Sequence, residues 1–246
     1  MLAIIGGSGL TQLANLDIAR HEVVRTPYGE PSGPLTFGSV AGSPLIFLAR
    51  HGYGHTIPPH RVNYRANIWA LREVGASGVV SVASVGGIRA DCVPGRLIVP
   101  HQIIDYTHSR ASTFHDGIDC SVIHVDLTHP YDHTSRAKLL RAGELVNEAL
   151  IDGAVYAATQ GPRLETSAEI DRLERDGADI VGMTGMPEAA LAREAGLPYA
   201  AIAVVANFAA GRGTSGAAIQ FEDIERTLLL AMVRVRRLIE AYCRLQ

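Results

Sequence analysis

The feature that most constrains the fold of this chain is a regular alternation of short apolar runs with amphipathic helical patterns. Apolar runs of this length, rich in valine, isoleucine and alanine, are typical of strands buried on both faces of a sheet. We predict strands at residues 2–5, 45–49, 78–83, 97–99, 154–158, 180–183 and 199–206, and helices at residues 62–74, 135–148, 166–175, 188–195 and 221–244. The alternation favours an α/β fold with a central mixed, largely parallel β-sheet flanked by helices.

The size and charge of the chain narrow the function classes. Its 246 residues, 47% of them hydrophobic, suffice for a single domain over residues 1–246. A net charge of -3 without a block of like charges argues against nucleic acid or an anionic membrane as a partner. No apolar stretch approaches the ~20 residues that span a bilayer. We therefore expect a small-molecule substrate.

The three cysteines, Cys92, Cys120 and Cys243, are widely spaced. Their odd number and the lack of a C-x-x-C pair argue against a disulfide framework and against a zinc site. The first residues contain no basic segment ahead of the apolar run, so no targeting signal is expected. These features predict a cytoplasmic protein.

A glycine-rich stretch, "IIGGSGL", follows the first predicted strand. A dinucleotide fingerprint would need the spacing G-x-G-x-x-G, but Ser8 and Thr11 break it when it starts at Gly6, and Gln12 breaks it when it starts at Gly7. Glycines and a small hydroxyl after a strand also suit an oxyanion site, because backbone N–H groups can approach the ligand closely. A tight turn without a ligand remains an equal alternative.

Polar residues follow several of the predicted strands, where ligands collect in open α/β sheets. They are Ser8, Arg50, His51, Ser84 and Thr184, and together they could hold an anion of the size of phosphate. Taken singly, Arg50 could be a structural ion-pair partner and His51 a hydrogen-bonded residue at a strand end.

A cluster of three histidines, His51, His55 and His60, raises the possibility of a metal site. Prolines and glycines interrupt helical spacing in this segment, and no acidic residue lies between the histidines. The pattern favours a polar loop or lid over a metal centre.

Two further polar residues follow apolar runs. Glu165 stands at the predicted opening of a helix and Asn207 at the end of a strand. They could serve only as a capping acid and a turn residue. If both face one pocket, the carboxylate can accept from a ring N–H and the amide can donate to a carbonyl or ring nitrogen. Residues 110–133 are the least regular part of the chain, which predicts a long functional or intersubunit loop.

Five stretches, "IIGGSGL", "LARHGYGHTIPPHRVNYRANIWALREVG", "GGIR", "QGPRLETSAE" and "GMTGMPEAALAREAGLPYAAIAVVAN", resemble the trimeric purine nucleoside phosphorylase and methylthioadenosine phosphorylase family. The resemblance implies phosphorolysis of an N-ribosidic bond by a homotrimer, with inorganic phosphate as co-substrate and no other cofactor. It also implies phosphate contacts from Ser8, Arg50, His51, Ser84 and Thr184, and ribose contacts from Met183. Ala83 departs from the family, which carries threonine or asparagine at this position.

The resemblance also implies a base and a 5′ preference. Relatives that act on adenosine-type substrates carry aspartate and a small hydroxyl residue where this chain has Asn207 and Glu165, a pair that resembles the phosphorylases of 6-oxopurines. Phe221 and Ile224 replace the histidine that binds a 5′-hydroxyl, and His124 matches a residue that reaches a neighbour's 5′ pocket. Together these features predict S-methyl-5′-thioinosine as the substrate.

Three alternatives remain open. Two are enzymes of the same family: a 6-oxopurine nucleoside phosphorylase acting on inosine and guanosine, and a methylthioadenosine phosphorylase. The third is a regulator that binds a nucleoside without consuming phosphate.

Overall fold

Eleven β-strands form one mixed sheet in the computed structural model, which describes residues 1–117 and 121–245. The strands are β1 (Leu2–Gly6), β2 (Asp17–Glu22), β3 (Leu35–Val40), β4 (Ser43–Ala49), β5 (Gly78–Gly87), β6 (Leu97–Val99), β7 (Gln102–Asp105), β8 (Ile151–Asp152), β9 (Val155–Ala158), β10 (Ile180–Gly182) and β11 (Tyr199–Phe208). The helices are α1 (Tyr64–Glu73), α2 (His133–Leu145), α3 (Ser167–Arg175), α4 (Gly185–Glu194) and α5 (Phe221–Cys243). The predicted α/β class is confirmed.

The central strands bury both faces. In β1, Ala3 and Ile5 pack in the core beneath α1 and α4, whereas Leu2 and Ile4 pack in the core beneath α2 and α5. Successive side chains of a strand point to opposite faces, so a continuous apolar run is what this position requires. The layers are therefore helix, sheet and helix.

The sheet changes partners in the middle of β5. On one side, β1 runs parallel to β5 only as far as Ser81, and β10 pairs with it antiparallel only at Gly86 and Gly87. On its other side, β11 runs parallel to β5 along almost its whole length. Residues 82–85 thus border a gap between β1 and β10, and this gap positions the cavity described below.

Every predicted apolar run lies in a strand and every predicted helix exists, with bounds that differ by a few residues. Two strands continue by two or more residues past their predicted carboxyl ends: β5 to Gly87 and β11 to Phe208, so Ser84 and Asn207 lie inside strands and not after them. This extension is a correction to the predicted strand ends. The extension occurs because β5 and β11 continue to pair with each other past their apolar runs, at Gly86, Gly87 and Asn207.

Strands β2, β3, β7 and β8 were not predicted. Strand β2 is exposed along nearly its whole length, and β8 has only two residues, so neither shows a buried apolar run. The segment from Tyr106 to Asp132 has no helix or strand among its described residues, as the sequence predicts for 110–133. Cys92 and Cys243 are buried free thiols, and Cys120 lies outside the described residues. Among the described helices, none has the length and apolar character to cross a membrane.

Candidate active site

A cavity of about 650 Å³ opens at the gap beside β5. Nearly all of the predicted site residues line it: Ser8, Arg50, His51, Ser84, Glu165, Met183, Thr184, Asn207, Phe221 and Ile224. These residues come from the ends of β1, β4, β9 and β10, from β5 and β11 themselves, and from the start of α5. Sequence positions that are far apart are therefore brought to one place by the partner change in the sheet.

The glycine-rich loop packs tightly against β5 and Arg50. A Cβ added to Gly7 would lie 2.5 Å from the Val82 carbonyl oxygen and 2.8 Å from Nη1 of Arg50, so only glycine fits. The loop also closes as a turn, in which the Leu10 N–H donates to the Gly7 carbonyl. Ser8, which is half-buried, lies with its Oγ 3.4 Å from Nε2 of His55. The stretch therefore forms a tight turn that lines the cavity, and its role as an anion site stays a prediction.

Arg50 is fully buried and forms a bidentate ion pair with Glu188 of α4. Its Nε and Nη2 donate to the carboxylate at 2.6 and 2.8 Å, Nη2 also donates to Ser81 Oγ, and Nη1 donates to the Val82 carbonyl. Four of the five guanidinium N–H groups thus have acceptors in the described part of the chain. The remaining N–H belongs to Nη1, the nitrogen that lies beside Gly7.

Glu188 balances the charge of Arg50. Burial alone would favour the neutral guanidine, but the carboxylate and its hydrogen bonds outweigh burial and raise the pKa of Arg50 further. Because Glu188 neutralises the charge of Arg50, Arg50 offers the cavity one N–H donor beside the hydroxyls rather than an unpaired positive charge. Both interpretations of Arg50, an ion-pair partner and a residue of the cavity wall, hold.

His51 is neutral at physiological pH. Burial, and secondarily the positive charge of Arg50, lower its pKa to about 4. Its Nδ1 lies 2.8 Å from the Ile57 carbonyl oxygen, so Nδ1 carries the proton and donates to it, and Nε2 is left as an acceptor. A hydrogen phosphate can donate its P–OH to this nitrogen. The rings of His51 and His55 lie 4.8 Å apart, and no group of acidic, histidine or cysteine side chains in the described ranges is arranged to hold a metal ion.

The middle of the cavity is bordered by β5 and by the residues that follow β10. Ala83 and Ser84 line it at the gap, where β5 has no strand partner on that side within the described residues. Backbone groups of β5 that face this gap can contact a ligand. Thr184 is buried, and its backbone N–H donates to the Tyr156 hydroxyl. The methyl side chain of Ala83 leaves the Ser84 hydroxyl as the side-chain donor at this position.

Glu165 is not the capping acid of α3. That role belongs to Glu169, which forms a capping box with the N-cap residue Thr166. Glu165 lies one residue before the N-cap, lines the cavity, and accepts a 2.7 Å hydrogen bond from the Thr159 hydroxyl at Oε1. The carboxylate is therefore held in place through Oε1, whereas Oε2 has no hydrogen bond to another described residue and can accept one from a ligand.

A β-bulge in β11 sets the orientation of Asn207. The register of β11 on β5 shifts between Val205 and Asn207, so an extra residue precedes the asparagine. Nδ2 of Asn207 donates to the Phe208 carbonyl at 2.7 Å, which leaves its second N–H and its Oδ1 for a ligand. The turn-residue alternative is wrong because Asn207 lies within the strand.

The end of the cavity near α5 is apolar. Phe221 and Ile224 line it as predicted, and Ile219 and Leu228 join them. His124 does not line this cavity and is exposed on the irregular segment. Sequence reasoning missed Glu188 and Thr159. Glu188 contacts Arg50 across 138 residues of chain, and Thr159 contacts Glu165 across a loop whose course no local pattern signals.

The chain is similar to known proteins over most of its length. The chain is 55% identical over 212 residues to "Probable S-methyl-5'-thioinosine phosphorylase" of Xanthomonas campestris pv. campestris, which covers 86% of this chain and 85% of that protein. It is 46% identical over 215 residues to "Probable 6-oxopurine nucleoside phosphorylase" of Thermococcus kodakarensis, with 85% of this chain and 80% of that protein covered.

The fold is also similar to that of a solved structure. Methylthioadenosine phosphorylase from Schistosoma mansoni in complex with adenine superimposes with a TM-score of 0.94 at 32% identity, covering 99% of this chain and 91% of that chain. The family profile described as "Phosphorylase superfamily" matches residues 1–244. The chain therefore belongs to the phosphorylase superfamily.

Proposed function

We propose that the protein is a pentosyltransferase that phosphorolyses S-methyl-5′-thioinosine to hypoxanthine and 5-methylthioribose 1-phosphate. The observation that carries this proposal is one cavity with three chemically different parts: anion donors, a carboxylate and amide pair, and an apolar end. Inorganic phosphate is the co-substrate, and the reaction requires no other cofactor and no metal.

The phosphate part supplies the nucleophile. Cleavage of the N-ribosidic bond passes through an oxocarbenium-like state, which a bound phosphate can stabilise and then capture at C1′. Ser8, Ser84, Thr184 and the Nη1–H of Arg50 would donate to the phosphate oxygens, and neutral His51 would accept the P–OH. Met183 would lie beneath the ribose.

The base part favours 6-oxopurines. Oε2 of Glu165 can accept the N1–H of hypoxanthine, and the free N–H of Asn207 can donate to N7 or O6 as charge accumulates on the leaving base. Adenine has a lone pair at N1 and would leave Oε2 of Glu165 unpaired, which costs about 1–3 kcal/mol.

The 5′ part favours an alkylthio group. Ile219, Phe221, Ile224 and Leu228 offer no hydrogen bond to a 5′-hydroxyl, which would be desolvated without a partner. We propose a homotrimer in which the exposed His124 contacts the 5′ end of a neighbour's substrate, so that assembly completes the site. The buried free thiols of Cys92 and Cys243 fit a reducing cytoplasm.

A second candidate is 6-oxopurine nucleoside phosphorylase activity on inosine and guanosine, which the Glu165 and Asn207 pair supports equally. Only the apolar 5′ part favours the first candidate. The deciding experiment measures phosphate-dependent release of free base from S-methyl-5′-thioinosine, methylthioadenosine and inosine in separate reactions.

The proposal predicts that S-methyl-5′-thioinosine exceeds each of the others by about tenfold or more in kcat/KM, or about 1.4 kcal/mol. Equal rates with inosine would transfer the conclusion to the second candidate. A faster reaction with methylthioadenosine would refute the base assignment, and nucleoside binding without base release in phosphate would identify a regulator.

A further inference from the structure

Arg110 lies in the irregular segment and donates to four backbone carbonyls, of which that of Met183 belongs to the cavity lining. Nη1 donates to the carbonyls of Met183 at 2.8 Å and Met186 at 2.7 Å, and Nη2 donates to those of Thr159 at 3.2 Å and Gln160 at 2.8 Å. Its Nε also donates to the side-chain oxygen of Gln160 at 3.1 Å. One side chain therefore satisfies carbonyls from two separate segments.

The two segments carry the two halves of the proposed site. Met183 and Met186 flank Thr184, which follows β10 and borders the phosphate and ribose parts. Thr159 and Gln160 follow β9 and begin the loop that leads to Glu165. The guanidinium thus joins the segment that binds the sugar phosphate end to the segment that binds the base.

The partners of Arg110 differ from those of Arg136, another half-buried arginine. The hydrogen-bond acceptors of Arg110 are all neutral, the sixth being the Tyr64 hydroxyl at 3.3 Å, and none of the ion pairs among the described residues includes it. Arg136, by comparison, donates to the carbonyls of Pro100 and Val99 but also pairs with Asp152. Arg110 is therefore held only by neutral groups of the described residues, and its hydrogen bonds join the two segments.

We propose that Arg110 is a positioning residue that sets the distance between the base-binding and phosphate-binding segments. This inference rests on the proposed phosphorolysis. A planar guanidinium with five N–H groups can join both segments at once, whereas an ammonium group is a single point of attachment.

The consequence is specific to catalysis. Binding of hypoxanthine alone or of phosphate alone uses one segment, whereas the transition state needs both in register. Small misplacements of reacting groups can cost about 10²-fold in rate. Loss of Arg110 should therefore lower kcat far more than it weakens the binding of either ligand alone.

The test compares Arg110→Met with the matched control Arg136→Met. Arg136 also donates to two backbone carbonyls, those of Pro100 and Val99, but neither of these residues lines the cavity. We expect Arg110→Met to lower kcat for S-methyl-5′-thioinosine by about 10- to 100-fold. The dissociation constants for hypoxanthine and for phosphate, measured separately by calorimetry, should change by less than about threefold. Arg136→Met should leave kcat and both constants at their wild-type values.

Two further variants keep the test decisive if Arg110→Met does not fold. Arg110→Lys keeps the charge and should have an intermediate kcat. Arg110→Ala should regain part of its kcat when guanidinium is added at millimolar concentration, an effect that a loss of global stability would not produce.

Unchanged kcat in the folded Arg110 variants, or a kcat that falls only in parallel with both binding constants and with no guanidinium rescue, would overturn the inference. If the wild-type enzyme does not release hypoxanthine from S-methyl-5′-thioinosine, the proposed function fails instead. That result is independent of any Arg110 variant.

Discussion

The buried ion pair beneath the phosphate part makes a sharp prediction about Glu188→Gln. Both side chains of the Arg50–Glu188 pair are fully buried, and the carboxylate accepts from Arg50 at 2.6 and 2.8 Å and from the Tyr199 hydroxyl at 2.8 Å. Glutamine keeps the shape but removes the negative charge. Its NH₂ group would also face a hydrogen-bond donor of Arg50 or Tyr199.

The expected cost is large. Removing one partner of a buried pair costs about 3–5 kcal/mol, because the remaining charge is desolvated and unpaired. Such a loss is a substantial part of the ~5–15 kcal/mol that stabilises a typical domain. Urea unfolding followed by circular dichroism should show a loss of about 4 kcal/mol in the free energy of unfolding.

Phosphate should reduce this loss. With Glu188 neutral, the charge of Arg50 is no longer balanced, so a phosphate dianion should bind the variant more tightly and stabilise it more than it stabilises the wild type. The control is Glu144→Gln, which removes the acid of an exposed pair with Arg141 and should change stability by less than about 1 kcal/mol.

Two results would refute this reasoning. A Glu188→Gln protein as stable as the Glu144→Gln control would show that the buried pair contributes nothing. A Glu188→Gln protein that phosphate stabilises no more than wild type would show that Arg50 does not face the anion.

Three further predictions concern single residues of the site. The pKa of His51 falls from 6.5 in the unfolded chain to about 4 in the folded one, so the unfolded chain takes up the proton first and stability is lost as the pH falls from about 6.5 towards 4. Urea unfolding should show that the free energy of unfolding of the wild type falls by about 2 kcal/mol more than that of His51→Gln between pH 7 and pH 5, and equal losses would contradict a neutral, buried His51. Asn207→Asp loses the hydrogen bond to the Phe208 carbonyl and the donor to the base, so kcat/KM for S-methyl-5′-thioinosine should fall by about 5- to 150-fold. The ratio of kcat/KM for S-methyl-5′-thioinosine to that for methylthioadenosine should also fall, and an unchanged ratio would contradict the role of Asn207 in base recognition. Thr159→Val removes the hydroxyl that holds Oε1 of Glu165, so steady-state kinetics should show kcat/KM for S-methyl-5′-thioinosine falling by about fivefold to tenfold. The ratio of kcat/KM for guanosine to that for inosine should rise, because Oε1 becomes free to accept the 2-amino group, and an unaltered ratio would show that Thr159 does not restrain the carboxylate.

The central strands and all five helices could be predicted because their signals are local. A continuous apolar run predicts a strand buried on both faces, and this pattern identified β1, β4 and β11. Strand β2 has no such signal, because its side chains are almost all exposed and only its pairing with β3 makes it a strand. Pairing partners distant in the chain leave no trace in a short window of sequence.

The candidate site divides in the same way. Ser8, Arg50, His51 and Thr184 could be found because they directly follow apolar strands at the edge where ligands collect. Glu188 is 138 residues from Arg50 along the chain, and Arg110 acts through backbone carbonyls, which any residue type provides. Their contributions depend on tertiary contacts and become visible only in the folded chain.

The bulge before Asn207 shows a third kind of limit. The sequence predicts an amide that can face a base, but the register shift that separates Asn207 from Val205 is a property of the β5–β11 ladder. The capping box at Thr166 and Glu169 could have been recognised from its spacing, and it would have removed the capping alternative for Glu165.

The central claim is that one cavity selects a 6-oxopurine base and an alkylthio 5′ group together. The most direct measurement is a competition in which S-methyl-5′-thioinosine, methylthioadenosine and inosine are present at equal concentrations with phosphate, and the bases and pentose phosphates are followed over time by chromatography. The account predicts that hypoxanthine and 5-methylthioribose 1-phosphate appear first, in equal amounts, while methylthioadenosine and inosine persist. Early release of adenine, or consumption of inosine at the same rate as S-methyl-5′-thioinosine, would contradict it.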